Sequence, residues 1–395
     1  MLIQLLLFML IGIIAGTFTG LIPGIHINLI SIFLVSASIS FLSFIEPIYL
    51  ITLITAMAIT HTFIDFIPSV FLGCPDTDTE LSVLPGHELL KKGQGYQAVI
   101  LTAYGSLFAI FILILIAYPS IFLIEKSYNF IQTIIPYLLI IISLSLVLLE
   151  KNKISATLAF LLSGFLGLCV LNLPEVNQPL LPLLTGLFGS SALILSIKNK
   201  IQIPKQKITK PKIKILKPLT GALIASPLCS FLPGLGSGQA AIIGNLISRT
   251  NQKGFLVLLG ATNTLVMGFS FICLYVISRT RTGAALAIQQ IAGILSWKIL
   301  ILIIIISFIA GIISFFITLF LARFFSQKIT KINYTKISIM TLILLTMVVV
   351  FIAKFIGLII LIASTFTGIY CILLKVKRTN MMGCLIIPTI FFYLM

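Results

Sequence analysis

Two long apolar stretches of this chain carry the same four-residue interruption. Leu21-Ile22-Pro23-Gly24 returns 210 residues later as Phe231-Leu232-Pro233-Gly234. The likeness extends upstream, where Ile11-Gly12-Ile13-Ile14-Ala15 aligns with Gly221-Ala222-Leu223-Ile224-Ala225. Proline has no amide hydrogen and fixes φ, while glycine tolerates open backbone geometry. Lipid cannot satisfy the backbone groups such a break frees, so the break must line a cavity enclosed by protein. Equivalent breaks in two halves of one chain point to the substrate site of a transporter. The competing reading is an ordinary proline kink in a packed helix.

Composition sets the solvent. Of 395 residues 59% are hydrophobic and 9% charged, and apolar runs long enough to cross a bilayer recur throughout. The net charge of +17 comes from lysines in short loops between those runs. That is the pattern of cytoplasmic loops, and with no soluble basic domain it excludes a nucleic-acid partner. The six cysteines are scattered without a C-x-x-C spacing and read as small core residues. Met1-Leu2-Ile3-Gln4 lacks a basic leader segment, so no cleavable signal peptide is expected. The chain has no Walker A loop, zinc-ligand spacing or nucleophile elbow; neither enzyme chemistry nor a cofactor is expected.

Apolar elements are expected at 2–22, 25–44, 48–72, 78–90, 96–124, 129–149, 155–173 and 178–197. Residues 198–217 form a linker with eight lysines, no acid, and helix-breaking prolines. It divides a first membrane repeat, 1–197, from a second, 218–395. The second half reads 218–232, 235–248, 254–277, 283–296, 298–322, 337–353, 355–374 and 381–395. Lysine bias puts the linker in the cytoplasm. Counting outward places Lys91, Lys92, Lys151 and Lys153 inside, and Glu46, Lys126 and Glu175 outside. Arg249 and Lys253 fall inside, Lys298 and Lys354 outside. This counting makes 78–90 and 283–296 re-entrant and inserts the second half upside down. The expected fold is an all-α integral membrane protein of two inverted repeats with broken or re-entrant helices at the Pro-Gly motifs.

Candidate binding groups gather at the breaks. A helix that starts after Pro-Gly points free N–H groups and a positive dipole end at the cavity, which suits a carboxylate or phosphate. Pro23, Gly24, His26 and Asn28 form the first set; Pro233, Gly234, Gly236, Ser237, Gly238 and Gln239 form the second. His61 and Asp65 lie four apart and share a helical face. Ionisable groups inside a membrane are candidates for ion coupling, here by a proton or sodium, the alternative being a buried hydrogen-bonded pair. Asn263 and Thr264 keep polarity at the matching place in the second half. Asp76 and Asp78 face Arg279 and Arg281 at an offset of 203, acids suited to a cation and arginines to an anionic substrate. Solvated loop charge is the plainer reading. Gly12, Gly16 and Gly20 form a close-packing ladder. Pro85-Gly86-His87-Glu88 reads as a polar hairpin end rather than a metal site.

These motifs resemble the TctA family, the large membrane subunits of tripartite tricarboxylate transporters. The likeness rests on Gly16-x-x-x-Gly20-Leu21-Ile22-Pro23-Gly24, on Ile67 to Asp76, on Leu84 to Gly95, and on Leu232 to Gly236. Where the family usually has Asn-Thr-Pro-Gly, this chain has Gly73-Cys74-Pro75-Asp76. The resemblance implies a multi-pass permease of the cell membrane that works with a small membrane subunit and an extracytoplasmic binding protein. A cation-coupled secondary transporter of a small anionic carboxylate is the expected function. A weaker likeness, to undecaprenyl-phosphate translocases, rests on Pro233 to Gly238 and would make a lipid phosphate the cargo. A membrane scaffold without transport is the third reading.

Overall fold

The structure is a computed structural model. It describes residues 1–22, 45–73, 79–176, 178–198, 203–211, 214–231, 236–280, 282–329 and 334–394. Every regular element among them is helical. The first half contains α1 (Leu2–Leu21), α2 (Pro47–Ile64) and its continuation α3 (Phe66–Phe71). Then come a 3-10 turn (Glu80–Ser82), α4 (Val83–Lys91), α5 (Gly95–Leu148), α6 (Lys153–Leu171) and α7 (Leu180–Lys198). The second half contains α8 (Leu216–Phe231), α9 (Ser237–Ser248), α10 (Gln252–Ile277), α11 (Gly283–Ala292), α12 (Trp297–Lys328), α13 (Tyr334–Leu373) and α14 (Gly383–Leu394). Eight segments among the described residues are long and apolar enough to cross a bilayer. The chain is an all-α integral membrane protein with multiple spans.

Two spans form the centre. The best membrane window of the α2–α3 span is 100% buried and that of α10 is 94% buried. The outer spans α1, α5, α12 and α13 bury between 28% and 44% of theirs and leave large apolar side chains for lipid. The break between α2 and α3 has a local cause. Pro68 has no N–H to give the carbonyl of Ile64, so the helix turns at Asp65 before resuming.

Small residues set how closely α1 approaches α2. A Cβ added at Gly12 would lie 2.4 Å from the carbonyl oxygen of Leu53, and one at Gly16 would lie 2.4 Å from that of Met57. At Gly20 it would meet Ile64 at 2.8 Å. The glycine ladder is therefore the seam of the α1–α2 pair, as its spacing predicts. The aligned places in α8 hold Ala222, Ser226 and Ser230, all fully buried, and α8 packs on α10.

Two boundaries compare with their sequence reading. The expected stop near Lys126 is absent, and α5 runs unbroken for 54 residues with Pro119 and Pro136 inside it. Glu125 to Asn129 contains no glycine or proline, so nothing there ends a helix. A straight helix of that length would measure about 81 Å, against about 30 Å of hydrocarbon. Its apolar content accordingly falls into two stretches, Gly95–Ile131 and Thr133–Leu148. In α13 the expected break is present, where Lys354 leaves helical geometry at φ 54 and ψ −153.

Replacing Gly16 by alanine should lower stability by about 1–3 kcal/mol, because the added methyl meets backbone that cannot give way. Thermal unfolding of detergent-solubilised protein checks this against Ile14→Ala on the exposed face of α1. Equal melting of Gly16→Ala and wild type would contradict the seam.

Candidate functional site

A layer of buried polar groups joins the two halves where α2 crosses α10. The Thr62 and Thr264 hydroxyls are 3.1 Å apart. One turn further along α2, the Asn263 amide Nδ2 donates to Asp65 Oδ2 at 2.7 Å. The same amide lies 3.5 Å from the Thr62 carbonyl oxygen. Asp65 is 2% exposed, and its backbone oxygen accepts from the Ser69 hydroxyl at 3.0 Å. His61 sits one turn before Asp65 and shares a 3.0 Å hydrogen bond through Nδ1 with Thr19 of α1. Ser314 of α12 donates to Thr60 at 2.8 Å. The structure thus brings together Asp65, Asn263 and Thr264, with His61 one turn away. A buried carboxylate among hydroxyls and an amide can hold a proton, or offer oxygen ligands to a small cation.

A short helix follows each central span, and the two begin alike. In the first half the hydroxyls of Ser69 on α3 and Thr79 are 2.6 Å apart. In the second half those of Ser270 on α10 and Thr282 are 2.8 Å apart. Thr79 precedes the turn leading into α4, and Thr282 caps α11 through Ala285 N. All four residues are buried. Each short helix is followed by a glycine with positive φ, Gly93 at 76 and Gly293 at 65, the backbone state that favours glycine after a helix end. Each also packs across the halves, α11 on α2 and α4 on α10.

The second Pro-Gly break delivers α9. At its start the Gly236 N–H donates to the Gln239 side-chain Oε1 at 2.7 Å. Gln239 is 2% exposed, and its amide Nε2 is buried with no hydrogen-bond partner among the described residues. Ser237 and Gly238 are buried beside it. Arg279 leans over the Tyr128 ring and donates to its hydroxyl at 2.9 Å. Pro23, Gly24, His26, Asn28, Asp76, Asp78, Pro233, Gly234 and Arg281 lie outside the described residues.

The face bearing Lys91 and Lys92 is organised by the linker. Its extended stretch docks on the α4–α5 turn. Gln206 accepts from Gly95 N at 2.7 Å and donates to the Leu90 carbonyl at 3.0 Å, while Lys207 N donates to Gly93 O at 2.8 Å. Thr209 accepts from Gln97 at 2.6 Å. Nearby, the His87 ring packs against Gly73, where an added Cβ would lie 2.4 Å from Nε2. Loss of solvent around the ring, then the positive charges of Lys91 and Arg378, pull its pKa from 6.5 to about 3.

Of the residues singled out from the sequence, Asp65, Asn263 and Thr264 share the buried layer, His61 lies one turn away, and Gln239 starts α9. Thr19, Thr60, Thr62, Ser69, Thr79, Ser270, Thr282 and Ser314 join the same buried hydrogen bonds without having been singled out as candidates. The two Ser–Thr pairs could have been found from their shared placement in the two halves.

The depressed His87 pKa has a consequence for acid stability. Unfolding would let the ring bind a proton that it lacks when folded, so its contribution is complete above about pH 6.5 and is lost as pH falls toward 3. Melting of the purified protein should therefore decline more steeply between pH 6.5 and 4 than that of His87→Gln. Parallel declines would contradict this.

The family model described as "Tripartite tricarboxylate transporter TctA family" matches residues 6–383. The uncharacterized protein MJ1079 of Methanocaldococcus jannaschii is 35% identical over 403 residues, covering 98% of this chain and 99% of that protein. No solved structure matches. Near full-length agreement, carried by an all-α membrane fold with a buried polar layer, places this multi-pass membrane protein in the tripartite tricarboxylate transporter TctA family.

Proposed function

We propose that the chain moves a small carboxylate anion across the membrane, driven by a cation that titrates or binds at Asp65. The observation that carries the anion reading is Gln239. Its buried amide donor has no partner among the described residues; such a donor left unpaired costs about 1–3 kcal/mol, and at the start of α9 it suits a ligand that accepts hydrogen bonds. The helix N-terminus beside it favours negative charge. Family membership supports a transport role and makes tricarboxylates the first compounds to test. It also supports a small membrane subunit and an extracytoplasmic binding protein as partners.

The coupling reading rests on energetics. Uptake of an anion against an inside-negative potential costs about 2.3 kcal/mol per charge per 100 mV. Helix dipoles bind an anion but supply no work. Asp65 is the described acid buried at the crossing of the halves, and His61 one turn away favours a proton over sodium. Our reading of the halves as inverted repeats, 1–197 and 218–395 about the 198–217 linker, draws support from the Thr62–Thr264 contact. Residues that correspond in two halves meet on the axis relating them.

Proteoliposomes containing the purified chain test both parts. Labelled citrate should bind and exchange, and Gln239→Leu should weaken binding roughly tenfold or more. Asp65→Asn should abolish accumulation while exchange at equilibrium continues. Accumulation unchanged in Asp65→Asn would reduce the carboxylate to a structural hydrogen-bonding role. Binding of polyprenyl phosphate without competition from carboxylates would favour a lipid-phosphate translocase.

A further inference from the structure

The duplicated Ser–Thr pairs have no part in binding or coupling as described above, yet they recur at corresponding places in both halves. In each, a serine toward the end of a central span holds a threonine that leads into the following short helix, at 2.6 Å in one and 2.8 Å in the other. Each short helix is tied at its start to its own span and packs across the molecule on the other half's central span; α4 also packs on α3 and α5 and is held at its end by Gln206, and Gln289 of α11 donates to the Ser278 carbonyl. Movement of either short helix away from its span has to part the hydroxyls at its start.

The parts that would accompany such movement are present. Gly93 and Gly293 sit where each short helix gives way to the next long one, in a backbone state accessible to glycine at little cost. The Ser69 hydroxyl also reaches the Asp65 carbonyl, so the first pair is tied to the residue that bridges to Asn263. Ser270 lies on the same helix as Asn263, two turns along. Both pairs are therefore joined to the polar layer by a single helical segment. A neutral hydroxyl pair suits a reversible contact. Its net worth is about 0.5–1.5 kcal/mol, small enough to be given up and reformed during a transport cycle.

We propose that Ser69–Thr79 and Ser270–Thr282 are positioning clamps, one per half. Each holds its short helix closed over the polar layer, and each opens in turn to expose that layer to one side of the membrane. This rests on the transport reading above and adds the residues that set access.

The test uses the full-length chain with its six native cysteines replaced by serine. Two lockable variants carry Ser69→Cys with Thr79→Cys, or Ser270→Cys with Thr282→Cys. Oxidation should close a disulfide in each and lower anion uptake at least tenfold, with full recovery on adding dithiothreitol. A second readout needs no substrate. Thr264→Cys should react with a membrane-impermeant maleimide from both sides of sealed vesicles. Locking the first pair should remove reaction from the Lys92 side only, and locking the second from the opposite side only. Single Ser69→Thr and Ser270→Thr changes keep the hydroxyl and should keep uptake near wild type, whereas the alanine variants should not. The proposal is overturned if the disulfides form fully while uptake and labelling are unchanged, if no disulfide forms, or if Thr264→Cys reacts from neither side before locking. Should no carboxylate be transported at all, the uptake arm falls with the transport reading and the sided labelling alone decides the clamps.

Discussion

The molecule depends on how polar groups are satisfied at its dry centre. Between the two most buried spans, hydroxyl meets hydroxyl at Thr62 and Thr264, and an amide meets a carboxylate at Asn263 and Asp65. A charged or polar side chain left without such partners inside a membrane is costly. Pairing across the halves removes much of that cost and fixes the crossing of α2 and α10. Once the crossing is set, the glycine ladder draws α1 against α2, the small residues of α8 lie on α10, and the short helices bridge the two central spans. The lipid-facing helices are then free to be almost uniformly apolar.

The same centre suits it to transport. Asp65 accepts from the neutral Asn263 amide of the other half and lies buried where the two central spans cross. Gln239 has a buried amide donor without a partner among the described residues at the start of α9, where a helix end favours negative charge. The two halves touch at the polar layer. Family membership supports a transport role independently of this geometry.

Much of this architecture was legible in the sequence where a residue type has only one physical use. Glycines every four residues in an apolar helix specify close packing, and Gly12, Gly16 and Gly20 provide it. A lysine flanked by two apolar stretches marked the break at Lys354. The continuity of α5 past Glu125 and Lys126 was not legible, since adjacent charges resemble a loop in hydropathy while both residues favour helix. The hydroxyl contacts were hidden for a different reason. A serine or threonine in an apolar helix usually bonds to its own backbone, as Thr52 does to the Ile48 carbonyl, and nothing local distinguishes it from Thr62. Only the placement of partners in the other half separates the two cases.

The central claim is that two related halves enter the membrane with opposite orientation and meet at their matching residues. The turn after each short helix offers the most direct measurement, because Lys92 follows α4 and Ile294 follows α11, and both are exposed. Single cysteines at these two positions, in a background without the native cysteines, can be labelled from either side of sealed, oriented vesicles. Opposed halves predict that Lys92→Cys reacts from the cytoplasmic side and Ile294→Cys from the other. Reaction of both from the same side would contradict the inverted arrangement and the account of access built on it.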